Sequence, residues 1–231
     1  MGQKSELFSV GSRRVMGEQH TRTAPRQVSR RRDLIEIVIV FALILIAVWT
    51  RPGHGQLLVS LGAMAGVIGI ALAGKWSPSA LGLTKPLAGA GYILLAGALA
   101  CGGIALIGIA LRSVGPGYTV PLTRSWQYAI WALEQEFILQ SIFFVRLEEV
   151  VGSRYAVFAA ATLFALVHIP SLVLTLLSLL GGILFCELFR RWRNLYPIGI
   201  IHAALGLTIA FSFPDRWLHH MRVGIGFLVH R

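Results

Sequence analysis

The chain has 231 residues, of which 55% are hydrophobic and 13% charged. Soluble domains carry roughly 25% charged residues, so composition excludes a soluble globular protein and implies an all-α integral membrane protein, a single polytopic helical bundle. The net charge of +11 is placed for lipid headgroups rather than nucleic acid, because eight of the 21 basic residues precede Asp33 and most others border apolar runs. Cys101 and Cys186 both lie within apolar runs. They offer neither a disulfide framework nor a zinc-type spacing, and read as small packing residues.

Residues 1–33 form a polar, basic arm ending SRRRD. Its triple arginine lacks the flanks and cleavage site of an export signal, and a cytoplasmic anchor is expected. Seven apolar runs follow, at about 34–50, 56–74, 87–111, 126–147, 155–169, 172–189 and 195–213. A spanning helix needs about 20 residues, and lipid-exposed strand edges are excluded. Six runs are long enough; the fifth has 15 residues and is cut from the sixth by Pro170. Gly62-xxx-Gly66 and Gly97, Gly102, Gly103 and Gly108 read as helix contacts. With the N-terminus inside, 15 basic residues fall inside and 6 outside, which predicts N-in and C-out for seven spans. Residues 214–231, with Trp217 and Phe227, are too short to span and are expected to lie at the interface. The division is an arm at 1–33, a membrane domain at 34–213 with its site on 126–210, and a tail at 214–231.

Between Trp126 and His202, three apolar segments each carry polar groups. WALEQEFILQS holds Glu134, Gln135, Glu136 and Gln140; LFALVHIP holds His168; YPIGIIHAALG holds His202. An ionisable group near the bilayer centre costs several kcal/mol unless it is paired or lines a cavity. Glu136, His168 and His202 lie 11, 13 and 7 residues from the cytoplasmic ends of their runs. At about 1.5 Å per residue their depths are roughly 16, 20 and 10 Å, inside a core about 30 Å thick. One polar cavity enclosed by the fourth, fifth and seventh helices is predicted. Glu187, near the end of its run, reads as a surface group. Glu134 and Glu136 are about 200° apart on a helix. Glu136 shares a face with Gln140, and Glu134 shares one with Gln127 and Ser141. One glutamate should face the site and the other a neighbouring helix.

These residues resemble the CPBP group of intramembrane proteases, which includes CaaX prenyl proteases and bacteriocin-immunity proteins of the Abi type. That signature is EExxxR, then FxxxH, then HxxxN or a small residue in place of the Asn. Phe164-Ala-Leu-Val-His168 matches the second element and His202-Ala-Ala-Leu-Gly206 part of the third. The LGLTKP stretch at 81–86 looks like a loop common in the family, so the resemblance covers about 81–210. The first element departs: Gln135-Glu136-Phe-Ile-Leu-Gln140 stands for EExxxR, with Gln135 at the water-activating glutamate and Gln140 at the arginine. Glu148-Glu149, with Arg154 nearby, lie only 19 residues before His168 and read as a solvated loop.

The resemblance implies hydrolysis of a membrane-bound peptide or protein substrate by glutamate-activated water, in a bacterial inner (cytoplasmic) membrane, with no cofactor. Glutamine orients water but takes no proton from it, so Glu136 or Glu134 must be the base. The retained Glu136 is preferred, with Gln135 beside it. His168 would hold the water and His202 face the oxyanion, where Gly206 supplies no side-chain amide. Three other readings stand beside this one. A glutamate and two histidines match a catalytic zinc set, although no HExxH pair exists. The same groups could form a buried hydrogen-bonded cluster in a catalytically inactive scaffold, chaperone or immunity protein. A transporter is disfavoured by the lack of an evident inverted repeat.

Overall fold

A computed structural model of the chain describes residues 26–74, 76–113 and 122–229. The basic arm up to residue 25 lies outside the described residues. Within them every regular element is helical: α1 (Arg26–Trp49), α2 (His54–Ala73), α3 (Ala90–Ala110), α4 (Leu122–Glu136), α5 (Val145–Val151), α6 (Ser153–Leu166), α7 (Leu172–Trp192), α8 (Leu195–Ser212), α9 (Asp215–Leu218) and α10 (Gly224–Val229). A π-helical segment, Phe137–Phe144, joins α4 to α5, and a 3₁₀ turn, His219–Met221, joins α9 to α10. All seven apolar runs are thus helical. Four helices, α2, α3, α7 and α8, are long and apolar enough on their own to cross a bilayer. Leucines such as Leu58, Leu72 and Leu99 point outward, as an integral membrane protein requires where lipid replaces water.

The most enclosed of the four is α8, which packs on α3 and α4, while α7 packs on α6, and α1 on α2 and α5. Small residues set the α3–α8 contact. A Cβ at Gly97 would lie 2.6 Å from Ile201 Cβ, and one at Gly108 would lie 2.8 Å from Ser212 Cβ. Gly62, Gly102 and Gly103 face open space instead, so only part of the predicted glycine stripe makes helix contacts.

The fourth run is one rod in three pieces. Glu136 (φ −66, ψ −37) and Val145 (φ −60, ψ −41) keep right-handed helical geometry at both junctions. The π segment widens the rod in its middle, a departure often found at functional sites. Six consecutive side chains, Leu139 to Phe144, are buried there. The rod runs on to Val151, so Glu148 and Glu149 lie on a helix end rather than in a loop. Glu148 pairs with Arg193, and Glu149 is exposed.

Arg146 corrects the sequence reading further. One of the 15 basic residues assigned to the inside, it is wholly buried (0% exposed). Its Nε donates to Glu36 Oε2 at 2.7 Å, and Nη1 reaches the carbonyls of Ser141 and Ile142 at 3.2 and 3.4 Å. Glu36 also accepts from Arg32 Nε at 2.7 Å, and Arg32 Nη2 donates to Ala73 O at 2.9 Å. Arg32, two residues before the predicted apolar run, is thereby drawn into α1, which starts at Arg26, eight residues before that run.

Two connections are fastened to the bundle. Ser141 Oγ donates to Leu81 O (2.9 Å), Leu195 N to Gly82 O (3.1 Å), and Asn194 Nδ2 to Pro86 O and Ala88 O (2.8 and 2.9 Å). The LGLTKP loop is therefore tied to the π segment and to the start of α8. At the other end of the bundle, the tail folds back on α1. Gly224 N donates to Ile169 O at 3.0 Å, and Gly224 (φ +55) lies so close to Val48 that no Cβ fits.

Candidate active site

A cavity of about 450 Å³ opens between the helices. Most of its wall is apolar, with Ile44, Met64 and Leu177 among the lining residues. Its polar groups are Tyr128, Glu134 and Gln135 from α4, His168 from the α6–α7 turn, and His202 from α8, with Gly206 one turn beyond; Ser60 of α2 and Ser178 of α7 also line it.

His168 lies just past the end of α6. Pro170 has no N–H and disfavours helical geometry at Ile169, so the helix stops at Leu166 and a turn carries the imidazole. His168 Nδ1 is 2.8 Å from Phe164 O. A carbonyl only accepts, so Nδ1 carries the proton and Nε2 of the neutral ring holds a free lone pair. The Phe164 ring meets His168 edge-on at 4.9 Å and His202 at 6.0 Å, and Phe185 stacks on His202 at 5.2 Å. The two histidines therefore share one cavity across a single aromatic ring.

His202 Nδ1 is 2.7 Å from Glu136 Oε1, and Gln140 Nε2 donates to Glu136 Oε2 at 2.9 Å. Glu136 is fully buried and lies behind His202, off the cavity wall. Nε2 is left as the ring nitrogen of His202 free to serve the cavity. The two glutamates do diverge, as helical phase requires. Glu134 and Gln135 face the open space, whereas Glu136 and Gln140 face inward.

Two residues of consequence were missed in the sequence. Arg146 held a signal, since Glu36 sits three residues into an apolar run and needs a cation. Tyr128 held a weaker one, lying seven residues before Gln135 and so on the same face of α4. Among the described residues no three His, Cys, Asp or Glu side chains are grouped to hold a metal ion.

Residues 118–208 match the family model described as type II CAAX prenyl endopeptidase Rce1-like. That stretch contains Tyr128, Glu134, Gln135, His168 and His202 of the cavity wall. Comparison with curated proteins and with solved structures gave no match.

Proposed function

Because the stretch that carries the site, residues 118–208, is a segment of the CAAX-protease (CPBP) family, we propose that this chain is an intramembrane endopeptidase. It hydrolyses a peptide bond of a membrane-associated peptide or protein, in a bacterial inner membrane with its N-terminus cytoplasmic. The observation that carries the reading is the shared cavity, where Glu134 and two imidazoles face one space, and each imidazole has its Nδ1 already engaged.

The chemistry follows from those engagements. Water bound between Glu134 and His168 gives one proton to the Glu134 carboxylate, while His168 Nε2 accepts its other O–H bond and fixes its orientation. The resulting hydroxide attacks the carbonyl carbon, and the π electrons move onto the carbonyl oxygen. With Nδ1–H held by the Glu136 carboxylate, the His202 ring carries a second proton on Nε2 and donates that N–H to the oxyanion. Collapse of the intermediate breaks the C–N bond, and Glu134 returns the proton to the leaving amine. Glu136, preferred from sequence as the base, is assigned the positioning of His202, because both its oxygens are engaged away from the cavity. Gln135 orients water or substrate beside Glu134.

The test compares new protein N-termini in host membranes carrying the wild type or His168→Ala. Hydrolysis predicts N-termini present with the wild type and absent with the variant. Identical sets would establish the inactive scaffold reading, which Gln135 favours by standing where the family pattern has a glutamate.

A further inference from the structure

The cavity wall at Gly206 is filled by another residue. A Cβ built on Gly206 would collide with the Tyr128 hydroxyl and would lie 2.6 Å from the ring carbon that bears it. The phenol of α4 thus reaches across to α8 and sets its oxygen against the backbone one turn beyond His202. Tyr128 and Gly206 both line the cavity with His202. The hydroxyl has no hydrogen-bond partner among the described residues. Only glycine at 206 admits this approach.

We propose that Tyr128 is a catalytic residue, its O–H donating to the oxyanion beside His202. This rests on the peptidase reading above. A tetrahedral oxyanion formed in an apolar cavity needs preorganised donors, and one imidazole N–H leaves its remaining lone pairs unmet. Among the polar groups on the wall, Glu134 is an acceptor when ionised, the free lone pair of His168 is directed at water, and Gln135 is engaged beside Glu134. Ser60 and Ser178 come from α2 and α7 rather than from the helices that carry Tyr128 and His202. Tyr128 supplies a neutral donor on the side of the cavity where His202 stands. The chain thereby replaces a side chain at 206 with a hydroxyl delivered from α4: the HxxxN pattern loses its amide and the space is occupied by another donor. No proton is transferred in this role; the O–H bond only strengthens its hydrogen bond as negative charge develops on the carbonyl oxygen.

The experiment measures how fast the new N-termini appear in host membranes carrying equal amounts of wild type, His168→Ala, Tyr128→Phe, or the double variant Tyr128→Ala/Gly206→Asn. Loss of one oxyanion donor slows turnover about 10²- to 10³-fold, and that slowing is expected for Tyr128→Phe, with an unchanged unfolding temperature in detergent. The double variant clears the ring and puts an amide on α8 in the vacated space. It is expected to recover at least about tenfold over Tyr128→Phe, which a merely structural tyrosine would not permit. The inference needs both results, and failure of either overturns it. If Tyr128→Phe cleaves like the wild type while His168→Ala does not, the peptidase reading stands and the tyrosine assignment falls. If the wild type yields nothing beyond His168→Ala, both fall together.

Discussion

Replacing Glu136 and Glu134 by glutamine, one at a time, should separate holding the site from running its chemistry. Glu136 is 0% exposed and accepts two hydrogen bonds, at 2.7 Å from His202 and 2.9 Å from Gln140. An amide at 136 keeps one acceptor for Nδ1–H of His202 and turns its new donor toward Gln140, whose Nε2 then loses its acceptor whichever way that amide is turned. A buried group left without its partner costs about 1–3 kcal/mol, and Glu136→Gln should lose that much stability. Glu134 is partly exposed on the cavity wall and has no hydrogen bond among the described residues. Glu134→Gln should unfold within about 0.5 kcal/mol of the wild type, while cleavage falls about 10²- to 10⁴-fold with the loss of the base. Unfolding can be followed by tryptophan fluorescence in one detergent, with cleavage measured in matched membranes. If Glu134→Gln cleaves like the wild type and only Glu136→Gln is dead, the base is Glu136 and the catalytic face must be redrawn. If Glu136→Gln unfolds like the wild type, the reasoning from its burial is wrong.

Two further outcomes concern the frame around the site. Arg146→Ala takes the guanidinium from one oxygen of Glu36 while Arg32 stays on the other, and should cost about 1–3 kcal/mol, whereas the double variant Glu36→Gln/Arg146→Met should cost clearly less, as detergent unfolding will show. Gly97→Leu should force α3 from α8 and cost about 1–3 kcal/mol by the same measurement, with Gly102→Leu, which faces open space, near neutral.

Hydrophobic runs and basic residues made the helices legible, because a membrane imposes a length and a polarity on every crossing segment. The gathering of His168 and His202 was legible from depth, since two imidazoles at similar heights in one bundle have few other places to go. Helical phase told Glu134 from Glu136 but could not say which of them met open space. That depends on where α8 lies, and helix arrangement is set by packing contacts such as Gly97 against Ile201. The π segment carries no recognisable sequence signal, so the rod was expected to be regular. Arg146 escaped because a charge at the end of an apolar run ordinarily marks the membrane surface. Its burial is visible only once Glu36, 110 residues away in the chain, is placed beside it.

That distance matters while the protein is being made. Glu36 enters with the first helix, long before Arg146 is synthesised, and an acid within an apolar segment is costly to leave in lipid. Arg32, one turn earlier, is a counter-ion available from the start, and it still shares Glu36 in the finished fold. The first helix can therefore be delivered with a provisional partner and receive its permanent one when the rod arrives. Assembly of the half that carries the candidate site thus depends on the amino-terminal helix, because the rod's buried guanidinium finds its carboxylate only once that helix is in position.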